Sequence, residues 1–244
     1  MAIAGSRRPG RAKIGGENRC GTDRGEVRLR TLAVIALKGG SGKTTVATHL
    51  ALGAHLRGRN ALLVDIDPQH SAHDILSARE ADGPACVTST GRNVVAAQFG
   101  ALAERRDLMI VDTPAGAVEA VSEAIVVADF ALMVVRPTLI DLSGLARTLM
   151  IVRRLGKPSA VVVNQAPVAR ETVEAPLVKR AMKGLDYMQA NVAPVILRSR
   201  SIYQTALERG RSAEEMTDKA AAKEIAALWD FVDGSMAVRN AAAS

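Results

Sequence analysis

The sequence is poor in aromatics, nearly devoid of cysteine and without a long apolar run. Phe, Trp and Tyr together make up only 2% of its 244 residues, so a core must be built from Ala, Val, Leu and Ile, and the 48% hydrophobic content can supply one. The two cysteines, Cys20 and Cys86, are too few and too far apart for a disulfide framework or a metal-ligand cluster. They read as reduced thiols in a cytoplasmic protein. Charged or polar residues interrupt every apolar stretch well before the roughly 20 residues a membrane-spanning helix requires. Arg7-Arg8 is not followed by an apolar segment, so a secretory or twin-arginine signal is not expected.

The chain length suits one sizeable domain and does not demand two. The net charge is +7, and residues 1–30 alone contribute +5 of it, through Arg7, Arg8, Arg11, Lys13, Arg19, Arg24, Arg28 and Arg30 against Glu17, Asp23 and Glu26. This Gly-rich stretch reads as a basic, disordered tail. It is either an arm for nucleic acid or acidic lipid, or an extension without a role. Residues 31–244 read as one domain.

From residue 31 onward, short apolar runs alternate with amphipathic stretches. Strands are expected at Leu32–Leu37, Ala61–Asp65, Leu108–Asp112, Phe130–Val135, Ala160–Val163 and Val192–Leu197. Helical spacing is expected at Thr44–Arg57 and at about 117–128, 141–155, 171–183, 201–209 and 213–232. Strands that are apolar throughout and separated by helices predict an α/β fold: a mostly parallel, twisted sheet with helices on both faces. Ligands in such folds bind at the carboxyl ends of the strands.

The strongest motif is Lys38-Gly39-Gly40-Ser41-Gly42-Lys43-Thr44-Thr45, which follows an expected strand and opens an expected helix. Glycines there let backbone N–H groups turn toward phosphate oxygens, and a helix N-terminus adds positive potential. Lys43 is placed to reach the β- and γ-phosphates and the Thr44 hydroxyl to ligate Mg2+. The strict phosphate-loop pattern needs Gly where Leu37 stands, and a second lysine, Lys38, heads the loop instead. Two acidic strand ends follow, Asp65-Ile66-Asp67-Pro68-Gln69 and Asp112-Thr113-Pro114-Ala115. An aspartate after a buried strand is ordinary alone, but carboxylates at such ends can hold a Mg2+ shell and orient water. Asn164 closes another strand, either as a turn residue or as an amide able to pair with an adenine edge.

The loop with its leading lysine resembles that of the ParA/MinD family of deviant Walker A ATPases, and the likeness extends over about residues 31–232. The resemblance implies ATP and Mg2+ as ligands, with hydrolysis in an ATP-dependent homodimer. Lys38 would reach the nucleotide of the second subunit, Asp67 would position water, and Asp65 and Asp112 would support the metal with Thr44. Gly39, Gly40, Ser41, Gly42, Lys43, Thr44 and Thr45 would cradle the nucleotide, and Asn164 would bond adenine. Iron–sulfur relatives need cysteine pairs, and no Cys follows Cys86. Residues 223–232 hold Ile225, Leu228 and Trp229 beside Glu224 and Asp230, so this segment is expected to pack into the domain rather than anchor to a membrane.

What remains is closest to small ParA partition and positioning ATPases without an N-terminal helix-turn-helix domain. That branch binds DNA without sequence preference and releases it when a ParB-like or adaptor protein stimulates hydrolysis, so a nucleoid-associated cytoplasmic location is expected. Arg198 and Arg200 are the candidate DNA contacts, with Arg209, Arg211 and the Lys179, Arg180, Lys183 stretch as further basic groups. A solvated helix face is the competing reading. A membrane-cycling ATPase of the MinD kind and a phosphate-loop metabolic ligase stay open as alternatives.

Overall fold

The computed structural model describes residues 28–169, 171 and 173–237. The tail anticipated over residues 1–30 lies almost wholly outside them. Its last residues belong to the fold: Leu29 is buried, and Arg30 opens the first strand and pairs with Asp233 at 3.2 Å.

Among the described residues, seven strands form one parallel sheet in the order β3-β2-β4-β1-β5-β6-β7. They are β1 (Arg30–Ile35), β2 (Ala61–Asp65), β3 (Ala85–Thr88), β4 (Leu108–Asp112), β5 (Phe130–Val135), β6 (Ser159–Ala166) and β7 (Val192–Arg198). The helices are α1 (Lys43–Leu56), α2 (Ser71–Ser77), α3 (Val94–Ala103), α4 (Val118–Val127), α5 (Leu139–Arg154), α6 (Pro176–Tyr187), α7 (Ser201–Leu207) and α8 (Lys219–Ala237). The mostly parallel α/β sheet expected from the strand pattern is therefore what forms.

Strand alternation sorts the core into two layers. Leu32 and Val34 of β1 face α1, α2, α7 and α8, while Ala33 and Ile35 face α3 to α6. Helix α1 is buried from Val46 to Ala54 between the sheet and three further helices, with Leu50 and Leu52 filling the core and Ala and Gly at the closest approaches. Helix α8 buries Ile225, Leu228, Trp229, Val232 and Met236 in the same layer. Trp229 thus packs into the domain. No helix among the described residues is long and apolar enough to cross a membrane.

Local chemistry explains where element boundaries depart from the sequence pattern. Helix α6 starts at Pro176 rather than near 171, because the residue before a proline is forced into extended geometry, and Ala175 has φ −57° and ψ 140°. The stretch expected to be helical from 213 is broken in two. Ser212 and Glu215 close a capping box around a single 3-10 turn at Ala213–Glu215, and Asp218 then caps α8 by accepting from Ala220 and Ala221 N–H.

One buried titratable group joins these elements. His49 of α1 is fully buried against the Tyr203 ring, and its Nδ1 accepts from Ala213 N–H at 3.2 Å. Burial pushes its pKa down to about 4. The unfolded chain therefore takes up a proton between about pH 6.5 and 4 that the folded chain refuses, and stability falls as pH drops through that window. The loss should approach 3 kcal/mol, about 1.4 kcal/mol per pH unit. Urea unfolding at pH 7 and pH 4.5 should show His49→Gln losing less stability on acidification than the parent protein. An equal loss in both would assign the acid sensitivity to other groups.

Candidate nucleotide site

Residues 36–42 connect β1 to α1, and the loop is set by two left-handed glycines. Gly40 has φ +75° and Gly42, the residue preceding α1, has φ +89°. A β-carbon on Gly42 would lie 2.3 Å from Asn164 Nδ2, so both backbone and space demand glycine there. The loop is braced from behind. Asn164 donates Nδ2 to Ser41 O at 2.8 Å, Gln165 donates Nε2 to Gly40 O at 3.1 Å, and Gly116 N–H donates to Leu37 O at 2.8 Å. With carbonyls tied back and no side-chain cap on α1, the N–H groups of its first turn stay open to an anion.

The loop, Lys43, Thr44, Asp67, Pro68 and Pro114 line a cavity of about 880 Å3 at the carboxyl edge of the sheet. Lys43 is buried beneath it. Burial lowers its pKa, and the charges of Asp112 and Asp67 work against that shift. The sheet register puts Asp112 directly beside Asp65 on one side and Val34 on the other.

The two buried carboxylates differ. Asp65 accepts three backbone N–H groups, from Asp67 at 3.0 Å, Ala72 at 3.0 Å and His73 at 3.1 Å. It organises the Asp67 segment and the start of α2, so any support it gives a metal passes through that segment. Asp112 is fully buried, and neither of its oxygens has a hydrogen-bond partner among the described residues. Burial, reinforced by the Asp65 charge, pushes its pKa up to about 7, although the Thr44 hydroxyl and Lys43 pull it down.

Mg2+ fits these residues. It takes oxygen ligands, keeps several waters and favours substrate phosphates over an all-protein cage. The orphaned Asp112 carboxylate beside Thr44 supplies such a corner, and no cluster of three or more His, Cys, Asp or Glu exists among the described residues. Asp67 stands at the cavity wall with one oxygen accepting from Gln69 N–H at 3.0 Å.

Lys38 points elsewhere. It is absent from the cavity wall and reaches toward Asp141 at the start of α5, with Nζ 3.8 Å from Oδ1. Arg136 holds the same carboxylate through two bonds of 3.0 and 3.1 Å, and the Thr138 hydroxyl also donates to it. Burial works to raise the Asp141 pKa, but Arg136, Thr138 and Lys38 together bring it below the usual carboxylate range. The motifs in the sequence point to none of Arg136, Asp141 and Gln165. The polar residues beside Pro137 and Asn164 were the only signals.

Asn164 sits against the loop backbone, with its Nδ2 occupied by Ser41 O. Arg198 and Arg200 lie away from the cavity and are engaged internally. Arg198 pairs with Glu174 at 3.0 Å and donates to Pro167 O, while Arg200 makes two bonds to Glu224. Tyr203 and the Arg198 backbone N–H complete the Glu224 cluster.

Comparison with known proteins supplies a family for the chain. A family profile described as the CobQ/CobB/MinD/ParA nucleotide binding domain matches residues 32–212. The chain belongs to that family. It is 29% identical over 201 residues to the maintenance of carboxysome distribution protein A of Halothiobacillus neapolitanus, covering 80% of this chain and 92% of that protein. Its fold resembles a McdA variant of Cyanothece in complex with ATP, with a TM-score of 0.68 at 20% identity over 84% of this chain and 96% of that one. It also resembles the septum site-determining protein MinD of Pyrococcus horikoshii complexed with Mg-ADP, with a TM-score of 0.67 at 17% identity over 86% and 98%.

With Mg2+ held at Asp112, the environment of this carboxylate would make metal-assisted nucleotide binding pH-dependent. Below about pH 7 the carboxyl holds a proton that must leave before it can ligate. The Mg2+ concentration needed for half-maximal ATP binding should rise as pH falls from 8 to 6, approaching tenfold for each unit below 7. Titration with a fluorescent ATP analogue at each pH tests this. A requirement unchanged across the range would remove Asp112 from the metal shell.

Proposed function

We propose that this protein is a Mg2+-dependent ATPase of the ParA kind. It forms a sandwich dimer on ATP, binds DNA without sequence preference and releases it on partner-stimulated hydrolysis, thereby positioning a plasmid, a chromosome region or a protein cargo. The observation that carries the reading is the placement of its two loop lysines. Lys43 is buried under its own phosphate cavity, whereas Lys38 stands outside it on the α5 side. One lysine suits the nucleotide of its own subunit, and the other has the reach to serve a second copy.

In this reading the first-turn N–H groups of α1 and Lys43 bind the β- and γ-phosphates. Thr44 and Asp112 would hold Mg2+, which when bound would supply positive charge against the phosphate oxygens. Asp67 orients a water toward the γ-phosphorus. As the new P–O bond forms, the water gives up its proton to a phosphate oxygen, the bond to the β-phosphate oxygen breaks and ADP leaves with the electron pair. Lys38 from a second copy then stabilises that developing charge, as an arginine finger does elsewhere. The carboxysome-distribution name of the Halothiobacillus relative and the septum-site name of the Pyrococcus structure both support a positioning role. Because α8 commits its apolar face to the core, the sandwich-dimer reading on DNA is favoured over membrane cycling.

The two lysines should separate in mutants. Lys38→Ala should leave ATP binding within about twofold of the parent and lower turnover by roughly 10²–10³-fold, the scale of losing one transition-state donor. Lys43→Ala should lose ATP binding itself. Equilibrium nucleotide binding, phosphate release and light scattering with ATP read these effects. Equal loss of ATP binding in both variants would reduce the loop to an ordinary phosphate loop and remove the dimer claim.

A further inference from the structure

The basic groups of this protein fall into two populations. Around α7, α8 and the ends of α1 and α2, five arginines are matched by carboxylates, while the exposed Arg209 and Arg211 share a groove with Glu80 and Glu208, and Lys219 and Lys223 stand next to Asp218 and Glu224 in the chain. Arg57 pairs with Glu214, Arg59 with Asp107 and Asp233, Arg79 with Glu215, Arg198 with Glu174 and Arg200 with Glu224. These pairs tie elements together, and a cation already bonded to a carboxylate has little charge left to offer a phosphate.

The outward surface of α5 and α6 is different. Both helices follow parallel strands on the same side of the sheet, and they bury Leu142, Leu145 and Leu149 and Val178, Ala181 and Leu185 in one core layer. They pack closely enough that a β-carbon on Gly184 would lie 3.3 Å from Leu142, and Arg153 donates to Met188 O and Gln189 O to close the end of α6. Their opposite sides expose Arg147 and Arg154 on α5 and Lys179, Arg180 and Lys183 on α6. None of these five has a carboxylate within ion-pair distance or a side-chain hydrogen bond among the described residues. The acids on these helices are Asp186, which is exposed on α6, and Asp141, which is buried and already held by Arg136.

We propose that this α5–α6 ridge, rather than Arg198 and Arg200, is the surface on which the protein holds DNA. The inference rests on the DNA reading above and names its interface. A helix rises about 1.5 Å per residue, so Arg147 and Arg154 stand about 10 Å apart and Lys179 and Lys183 about 6 Å. Duplex DNA carries one negative charge per about 1.7 Å of axis, so such a ridge can face several phosphates at once. It offers flexible cations on rigid elements with no base-reading groups, which suits binding through the backbone without sequence preference. DNA is favoured over a lipid surface because the apolar faces of both helices are committed to the core. Among the cations Met150 and Tyr187 protrude singly, and the one adjacent exposed apolar pair on the two helices, Leu139 and Ile140, stands at the start of α5, about two turns before Arg147.

The test is duplex DNA binding by fluorescence anisotropy with MgATP, from 50 to 200 mM salt, on the full chain. Combining Arg147→Gln, Arg154→Gln, Lys179→Gln and Lys183→Gln should make the log–log salt slope shallower by about 3–4, near one per lost phosphate contact, with ATP binding and melting temperature kept. Should that variant fail to fold, Arg154→Gln with Lys183→Gln should still lower the slope by about 2. The control Arg200→Gln should lower the melting temperature and leave the slope unchanged. An unchanged slope in the ridge variants, or a slope lowered by Arg200→Gln instead, overturns the ridge while leaving the DNA reading intact. No ATP-dependent DNA retention by the parent at 50 mM salt overturns the DNA reading itself. Ridge-dependent binding to phosphatidylserine vesicles without DNA binding assigns the ridge to membranes and overturns the inference.

Discussion

Three charged side chains, Lys43, Asp65 and Asp112, are buried together at the carboxyl edge of the sheet, and the rest of the site depends on how each is satisfied. Buried charge is costly unless it is paired or hydrogen-bonded. Asp65 meets that requirement with three backbone N–H groups and so fixes the path of residues 66–73. Lys43 has two carboxylate charges nearby. Asp112 is the least satisfied of the three: neither oxygen has a hydrogen bond within normal geometry among the described residues, and only the nearby Thr44 hydroxyl and Lys43 charge favour its ionised form. The strand order explains the convergence. Placing β4 between β1 and β2 brings the phosphate loop, Asp112 and Asp65 to adjacent strand ends.

A second constraint comes from the shortage of aromatics. An aliphatic core has few bulky rings to hold helices apart, and α1 lies deep in the molecule, buried on all sides from Val46 to Ala54 with Leu50 and Leu52 among its Ala and Gly positions. The phosphate loop therefore opens onto a helix that cannot readily shift. Asn164 and Gln165 lock its other side, where Gly42 leaves no room even for a methyl group. Gln165 itself holds φ +53°, an uncommon conformation for a residue with a side chain, at the point where it reaches Gly40. Rigidity on both sides is what a preorganised anion site requires.

The fold was legible in the sequence where burial on both faces left uninterrupted apolar runs, as in β2, β4 and β5. It was not legible at β3, a four-residue edge strand whose residues are only partly buried. Nor was it legible at α3, where Val-Val-Ala-Ala-Gln-Phe-Gly-Ala-Leu-Ala has no polar face to betray a helix, and Val95, Phe99 and Leu102 remain exposed. At the site, motif order placed the loop, Asp65, Asp67 and Asp112 around one edge of the sheet. It could not show that Asp65 turns inward to bond backbone while Asp112 stays unbonded, because that difference arises from the chain bending back at Ala72 and His73. Charge was the least legible. Arg200 and Lys183 look alike in sequence, yet Glu224, 24 residues further on, engages the first, and no described carboxylate engages the second.

The position of Lys38 follows from the same reasoning about buried charge. Asp141 is almost fully buried, so removing a partner from it would ordinarily be expensive. Arg136 already grips both of its oxygens, and Thr138 adds a hydroxyl bond. Lys38, at 3.8 Å and with a side chain about one third exposed, is a loose third partner. Its departure would strand no charge, and water at the exposed end of the pair screens what it gives up. The loop thus keeps Lys43 where leaving is costly and Lys38 where leaving is cheap, as expected if one lysine must stay with its nucleotide and the other must travel to a second copy.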